Sequence, residues 1–190
     1  MDVATISKYD KVPGIEVNFQ AELELTKKFL SALRKVTKNE IIYITGNHEF
    51  RLKKYLISIA KELWELNSLA LDELLDLEHY KISYVDLDDR YSGFQDNYIE
   101  IQDFLVGHFN VARAGLGATG RALIEKYGRS IVQAHVHRIA MVAKWQFDRQ
   151  IVGVEGGCMC KMDNNYRRNA NWQRGWVDLI DGEVELHAIL

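Results

Sequence analysis

The chain has little of what marks linkers, leader peptides or membrane segments. It contains one proline, Pro13, in 190 residues, and it has no low-complexity stretch and no internal repeat. A sequence of this length without a linker signal predicts a single domain over 1–190. It also lacks a signal-peptide pattern and any long apolar run. We therefore expect a cytoplasmic protein that does not associate with a membrane.

Basic charge and cysteine are also scarce. The formal net charge is -3, which does not indicate indiscriminate binding to nucleic acid. The two cysteines, Cys158 and Cys160, are two positions apart, so in a strand they would share a face. We interpret them as two small buried side chains in a reducing compartment. A Cys-x-Cys metal clip is the alternative, although no second cysteine pair completes a zinc site.

The hydrophobic pattern alternates between helical and extended periods. It predicts a helix over 20–37, a second one from Leu52 to Leu63, a short acidic helix over 69–78, and a fourth over 118–127 with Gly128 as its C-cap. The predicted strands are 41–45, 82–86, 98–106, 130–134, 139–146, 150–154, 157–162, 176–180 and 184–189, the last two joined by a turn at Asp181-Gly182. This order favours an α/β class with two packed sheets flanked by helices.

Three of these strands run into residue types that bind metals. The predicted strand 41–45 runs into Gly46-Asn47-His48-Glu49, and the strand 98–106 runs into Gly107-His108. The strand 130–134 runs into Ala134-His135-Val136-His137-Arg138. Ligand sites of open α/β sheets lie at the carboxyl ends of strands. An amide oxygen and imidazole nitrogens suit divalent cations such as Mn, Fe or Zn.

The order Gly-Asn-His-Glu, Gly-His, His-x-His resembles the calcineurin-like metallophosphoesterase family, and most closely its small phage and bacterial members. Arg51, Arg138 and the stretches 157–161 and 171–175 fit the same resemblance. It implies an αββα sandwich of two mixed sheets. The implied activity is metal-dependent hydrolysis of a phosphomonoester or phosphodiester, with a nucleotide or nucleic acid as one class of partner.

The resemblance also implies roles for single residues. Asn47, His108 and His135 would bind one divalent ion, and His137 would bind the other. His48 would protonate the leaving group or steady the developing charge, and Glu49 would orient it. Arg51 and Arg138 would contact substrate phosphate, although surface or rim salt bridges explain these two arginines equally well.

The family's first two motifs, Asp-x-His and Gly-Asp-x-x-Asp, are not found in full. Asp2 matches the final Asp of the second motif. We therefore expect the bridging aspartate and the first one or two strands to be missing from the chain as written, and its activity to be impaired. The alternative is a non-catalytic remnant or binding module. If this module binds nucleic acid, the contacts would come from a segment that mixes basic and aromatic residues, and the other interpretation of this segment is a structural loop. Its residues are Tyr166, Arg167, Arg168, Trp172, Arg174 and Trp176.

Overall fold

The computed structural model describes residues 1, 3–6, 18–86, 98–160, 162 and 171–189. The chain divides into two compact units, Met1–Phe94 and Gln95–Leu190, and the single domain over 1–190 stays a prediction. Asp2 and the Tyr166-Arg167-Arg168 part of the basic and aromatic mix lie outside the described residues. In the part of the chain that is described, every helix is too short or too polar to cross a bilayer.

The first unit combines helices with a small parallel sheet. Its helices are α1 (Phe19–Val36), α2 (Phe50–Ile59) and α3 (Leu71–Leu75), and its strands are β1 (Ile42–Ile44) and β2 (Ser83–Val85), which pair in parallel. The side chain of Asn18 caps α1 by accepting from the amides of Gln20 and Ala21. The apolar faces of α1 and α3 meet in a core that contains Leu23, Leu30, Leu71, Leu75, Leu77 and Ile82.

The second unit is built on a five-stranded mixed sheet. Its elements are β3 (Tyr98–Ile101), β4 (Phe104–Gly107), α4 (Ala118–Tyr127), β5 (Ser130–Gln133), β6 (Ile139–Gln146), β7 (Arg149–Gly156), β8 (Arg174–Ile180) and β9 (Glu183–Ile189). The sheet order is β3-β4-β5-β7-β6, with β4, β5 and β7 parallel and both edge strands antiparallel to their neighbours. Strands β8 and β9 form a separate antiparallel pair. The predicted α/β class is confirmed.

Helix α4 packs so closely against the sheet that its backbone approaches the backbone of β7. Its Leu123 and Ile124 are buried with Ile131 of β5 and Ile151 of β7. One turn earlier Gly120 faces β7, and a Cβ atom added there would lie 2.8 Å from the Gly153 carbonyl oxygen. Only glycine permits an approach this close, so the helix begins directly over the carboxyl end of β7.

Two of the predicted strands are wrong. The run 98–106 is two strands, because Gln102 and Asp103 both adopt positive φ (48° and 67°) and reverse the chain into a hairpin. Residues 157–160 and 162, the described part of the predicted strand 157–162, do not form a strand. Strand β7 ends at Gly156, Gly157 has φ of 74°, and Cys158 forms only an isolated bridge with Arg174.

Candidate metal centre

His108 and His135 are brought together by parallel strands. Strands β4 and β5 are neighbours with Gly107 opposite Gln133, so each histidine follows the carboxyl end of its strand. The Ala134 amide continues the ladder by donating to the Gly107 carbonyl oxygen (3.2 Å). His108 Nε2 and His135 Nδ1 are 2.9 Å apart, and the two rings meet edge to face. The predicted approach of these two motifs is therefore present.

The spacing of these two nitrogens fits a shared cation. Imidazole nitrogens about 2.1 Å from an ion stand about 3.0 Å apart at neighbouring octahedral positions and about 3.4 Å apart in a tetrahedral site. The observed 2.9 Å lies within about half an ångström of both values. Without an ion, one ring nitrogen donates a proton to the other. The same pair can therefore hold either a proton or a metal.

The turn that carries His135 is strained. His135 and His137 have φ of 56° and 58°, the left-handed region that few residues with a side chain adopt. The Val136 amide closes the turn on the Ala134 carbonyl oxygen (2.6 Å). Backbone strain of this kind costs about 1–3 kcal/mol per residue and collects at functional sites. Residues away from this turn, such as Val3 and Phe147, also have positive φ, so the turn sets the direction of both histidines without by itself indicating a function.

His137 belongs to a second group of ligand atoms. Its ring nitrogen lies with the sulfurs of Cys158 and Cys160, all within 4.8 Å of one another. The two sulfurs are 3.2 Å apart, and the Trp172 ring packs edge-on against the His137 ring with centroids 4.4 Å apart. The interpretation of both cysteines as buried is wrong, because the chain leaves the sheet at Gly157: Cys158 is partly buried and Cys160 is exposed.

In the first unit, Asn47, His48 and Glu49 form the turn between β1 and α2. Glu49 is the anchor of this turn, since it accepts from the Tyr43 hydroxyl (3.0 Å), the Gly46 amide (3.0 Å) and the Met1 amino group (2.9 Å). Burial raises the pKa of Glu49, but the charge and hydrogen bond of the Met1 ammonium and the hydrogen bonds from the Glu49 and Gly46 amides outweigh burial and lower it. The metal role of Asn47, the acid role of His48 and the orienting role of Glu49 stay predictions.

The two arginines of the resemblance differ in setting. Arg51 is the second residue of α2, and its contact with phosphate stays a prediction. Arg138 forms a salt bridge within the protein, which is the alternative that the sequence left open for it. Its guanidinium donates to Glu155 Oε2 (3.2 Å), the Arg113 carbonyl oxygen (2.9 Å) and Thr119 Oγ1 (3.3 Å).

Glu155 and Gln133 are buried polar residues that the sequence did not single out. Glu155 is fully buried and accepts from the amides of Gly117 (3.2 Å), Thr119 (2.9 Å) and Gly120 (3.3 Å), so it caps α4. Gln133 stands opposite Glu155 in the sheet and is 1% exposed, and among the described residues neither polar atom of its side chain has a hydrogen-bond partner. The sequence feature that could have identified both residues is a charged or amide side chain inside an otherwise apolar strand.

The chain was compared with known proteins at the level of sequence and of structure. No protein-family model matches it, and no curated protein matches it. Among solved structures it is similar to a single mutant of Vps29 from Entamoeba histolytica. The match has 13% identity and a TM-score of 0.35, and it covers 94% of this chain and 93% of that one. A likeness this distant carries no argument about function.

Proposed function

We propose that the chain is a metal-dependent phosphoesterase that hydrolyses a phosphomonoester or phosphodiester. The observation that supports this proposal is the His108–His135 pair, two imidazole nitrogens 2.9 Å apart at neighbouring strand ends. The resemblance of the three motifs adds Asn47 as a ligand, His48 as the acid and a divalent ion of the Mn, Fe or Zn kind. When bound, such an ion supplies Lewis acidity toward a phosphoryl oxygen.

The chain's own residues would do three things in this reaction. His108 and His135 would hold the ion, and the tight turn at Ala134–His137 would keep His135 aimed at it. The tie between Glu49 and Gly46 would hold the 46–49 turn in shape, so that His48 stays in position to deliver a proton. Glu155 would hold the Arg138 guanidinium in place between the carboxyl end of β7 and the start of α4.

The first test measures metal binding by the full chain. Calorimetric titration with Mn²⁺ or Zn²⁺ should show a site whose affinity falls at least tenfold in His108→Ala and in His135→Ala. His79→Ala is the matched control, because His79 is exposed and lies outside the three motifs. Unchanged affinity in both motif variants would contradict a shared cation site.

The second test measures turnover of p-nitrophenyl phosphate and its bis-ester. We expect slow, metal-dependent hydrolysis that is abolished by EDTA, lost in His135→Ala, and strongly reduced in His48→Ala and Asn47→Ala. Loss of an acid catalyst typically costs about a hundredfold or more in rate. Turnover that EDTA leaves unchanged would refute the proposal.

The second candidate function is a non-catalytic binding module that keeps the metal pair. The observation in its favour is the set of contacts of Arg138, which is engaged by a buried carboxylate in place of a phosphate. A chain that binds the ion through His108 and His135 but hydrolyses neither ester, with any of Mn²⁺, Fe²⁺ or Zn²⁺, would be assigned to this class.

A further inference from the structure

We propose a second metal site, formed by His137, Cys158 and Cys160, that binds a thiophilic divalent cation such as zinc. The three ligand atoms lie within 4.8 Å of one another. Two sulfurs and one imidazole nitrogen are a zinc donor set, and three protein ligands leave one position for water or another group. This site is separate from the His108–His135 pair and does not depend on the proposed hydrolysis.

We call His137, Cys158 and Cys160 the His/Cys cluster. Backbone hydrogen bonds already hold together the three chain segments that meet at this cluster. The Gln173 amide donates to the His137 carbonyl oxygen (2.8 Å), and the Cys158 amide donates to the Gln173 carbonyl oxygen (3.0 Å). The Gly157 amide donates to the Arg138 carbonyl oxygen (2.7 Å). Both partly buried ligands are therefore held by main-chain contacts before any ion arrives.

The geometry needs only a small adjustment to accept the ion. Two thiolates about 2.3 Å from a tetrahedral zinc stand about 3.8 Å apart, whereas the sulfurs are 3.2 Å apart. Cys160 is exposed, so it can move outward by the missing distance. The Cys158 thiol donates to the Gln173 carbonyl oxygen (3.5 Å), and this proton would leave when the thiolate binds metal.

An ion here would act on the neighbouring site through the chain. His137 is two residues after His135, and both lie on the strained turn after β5. An ion held by His137 and the cysteines would pin that turn to the segment after β7. We infer a structural clip that keeps His135 oriented toward His108.

The chain is well suited to a spectroscopic test, because Cys158 and Cys160 are its only cysteines. The reduced full chain is titrated with Co²⁺ in the absence of oxygen, and Zn²⁺ is then added. We expect a near-ultraviolet thiolate-to-cobalt charge-transfer band that saturates at one equivalent and disappears when zinc displaces cobalt. The band should vanish in Cys158→Ser and Cys160→Ser.

Two further variants separate the His/Cys cluster from the other pair. His137→Ala should weaken cobalt binding at the thiolate band by on the order of tenfold or more, while His79→Ala should leave it unchanged. His108→Ala should also leave the band intact, whether or not the chain hydrolyses phosphate esters. Cobalt binding without a charge-transfer band, or a band insensitive to His137→Ala, would overturn the proposal.

A second measurement on the unmodified chain guards against misfolded variants. Bound Zn²⁺ should slow alkylation of the two thiols by iodoacetamide at least tenfold, and EDTA should restore the rate. Equal alkylation rates with and without saturating zinc would equally overturn the site.

Discussion

Of the single changes near the candidate site, removal of the Glu155 carboxylate should lower the free energy of unfolding the most. In Glu155→Ala the partly buried Arg138 guanidinium loses its counter-charge, and the amides of Gly117, Thr119 and Gly120 lose their acceptor. Breaking a buried ion pair from one side costs about 3–5 kcal/mol. An ordinary domain has a free energy of unfolding of about 5–15 kcal/mol, so this loss is about a fifth of it or more.

The graded variant Glu155→Gln keeps the shape and one acceptor oxygen but removes the charge. Hydrogen bonds to a charged group contribute about 1.5–3 kcal/mol, so we expect a loss in that range. Glu125→Ala is the matched control, since Glu125 is exposed on the same helix α4, and it should change stability by less than about 0.5 kcal/mol.

Urea unfolding followed by tryptophan fluorescence measures these differences, with circular dichroism to check the fold. The double variant Glu155→Gln with Arg138→Met should be less unstable than the sum of its single changes, by about 1 kcal/mol or more. A loss below about 1 kcal/mol in Glu155→Ala, or strict additivity of the pair, would refute the buried-cap interpretation.

Three further predictions concern packing, polarity and pH. Gln133→Met should raise the free energy of unfolding by about 1 kcal/mol or more, because it removes a buried amide that has no partner in the described part of the chain, and a lower midpoint in urea would contradict this. Gly120→Ala should lower the melting temperature, because the added methyl group meets the Gly153 carbonyl oxygen at 2.8 Å; Arg121→Ala at an exposed position of the same helix is the control, and an unchanged melting temperature in Gly120→Ala would contradict the close approach. Glu49→Gln should be less stable at neutral pH, and its deficit should shrink as pH falls below the ordinary value of 4.5. The lowered pKa of Glu49 makes its contribution present above that value and lost as pH falls through the folded pKa; a deficit independent of pH between 7 and 3 would contradict this.

Local sequence signals predicted α1 and α4 to within one residue at each end, whereas α2 ends at Ile59 before the predicted Leu63, and α3 covers only Leu71–Leu75 of the predicted 69–78. Helix α4 has the predicted bounds, and Gly128 caps it with φ of 63°, because helix period and C-cap are both written in neighbouring residues. The β3–β4 hairpin was missed because its turn, Gln102-Asp103, has none of the glycine or asparagine that usually marks positive φ.

The candidate site was predictable where it depends on strand ends. The approach of His108 to His135 follows from two apolar runs that both end in Gly-His or Ala-His, since parallel neighbours align their carboxyl ends. The position of His137 beside Cys158 and Cys160 was not predictable, because it depends on Gly157 turning the chain out of the sheet. The burial of Glu155 likewise depends on Arg138 and on the start of α4, which are distant in sequence.

The left-handed backbone at His135 and His137 limits which residues could replace them over evolutionary time. Glycine, asparagine and aspartate tolerate this conformation, whereas valine, isoleucine and threonine do not. Histidine is enriched in this conformation together with asparagine and aspartate. Relatives of this chain should therefore keep His, Asn, Asp or Gly at positions 135 and 137, whether or not they bind a metal.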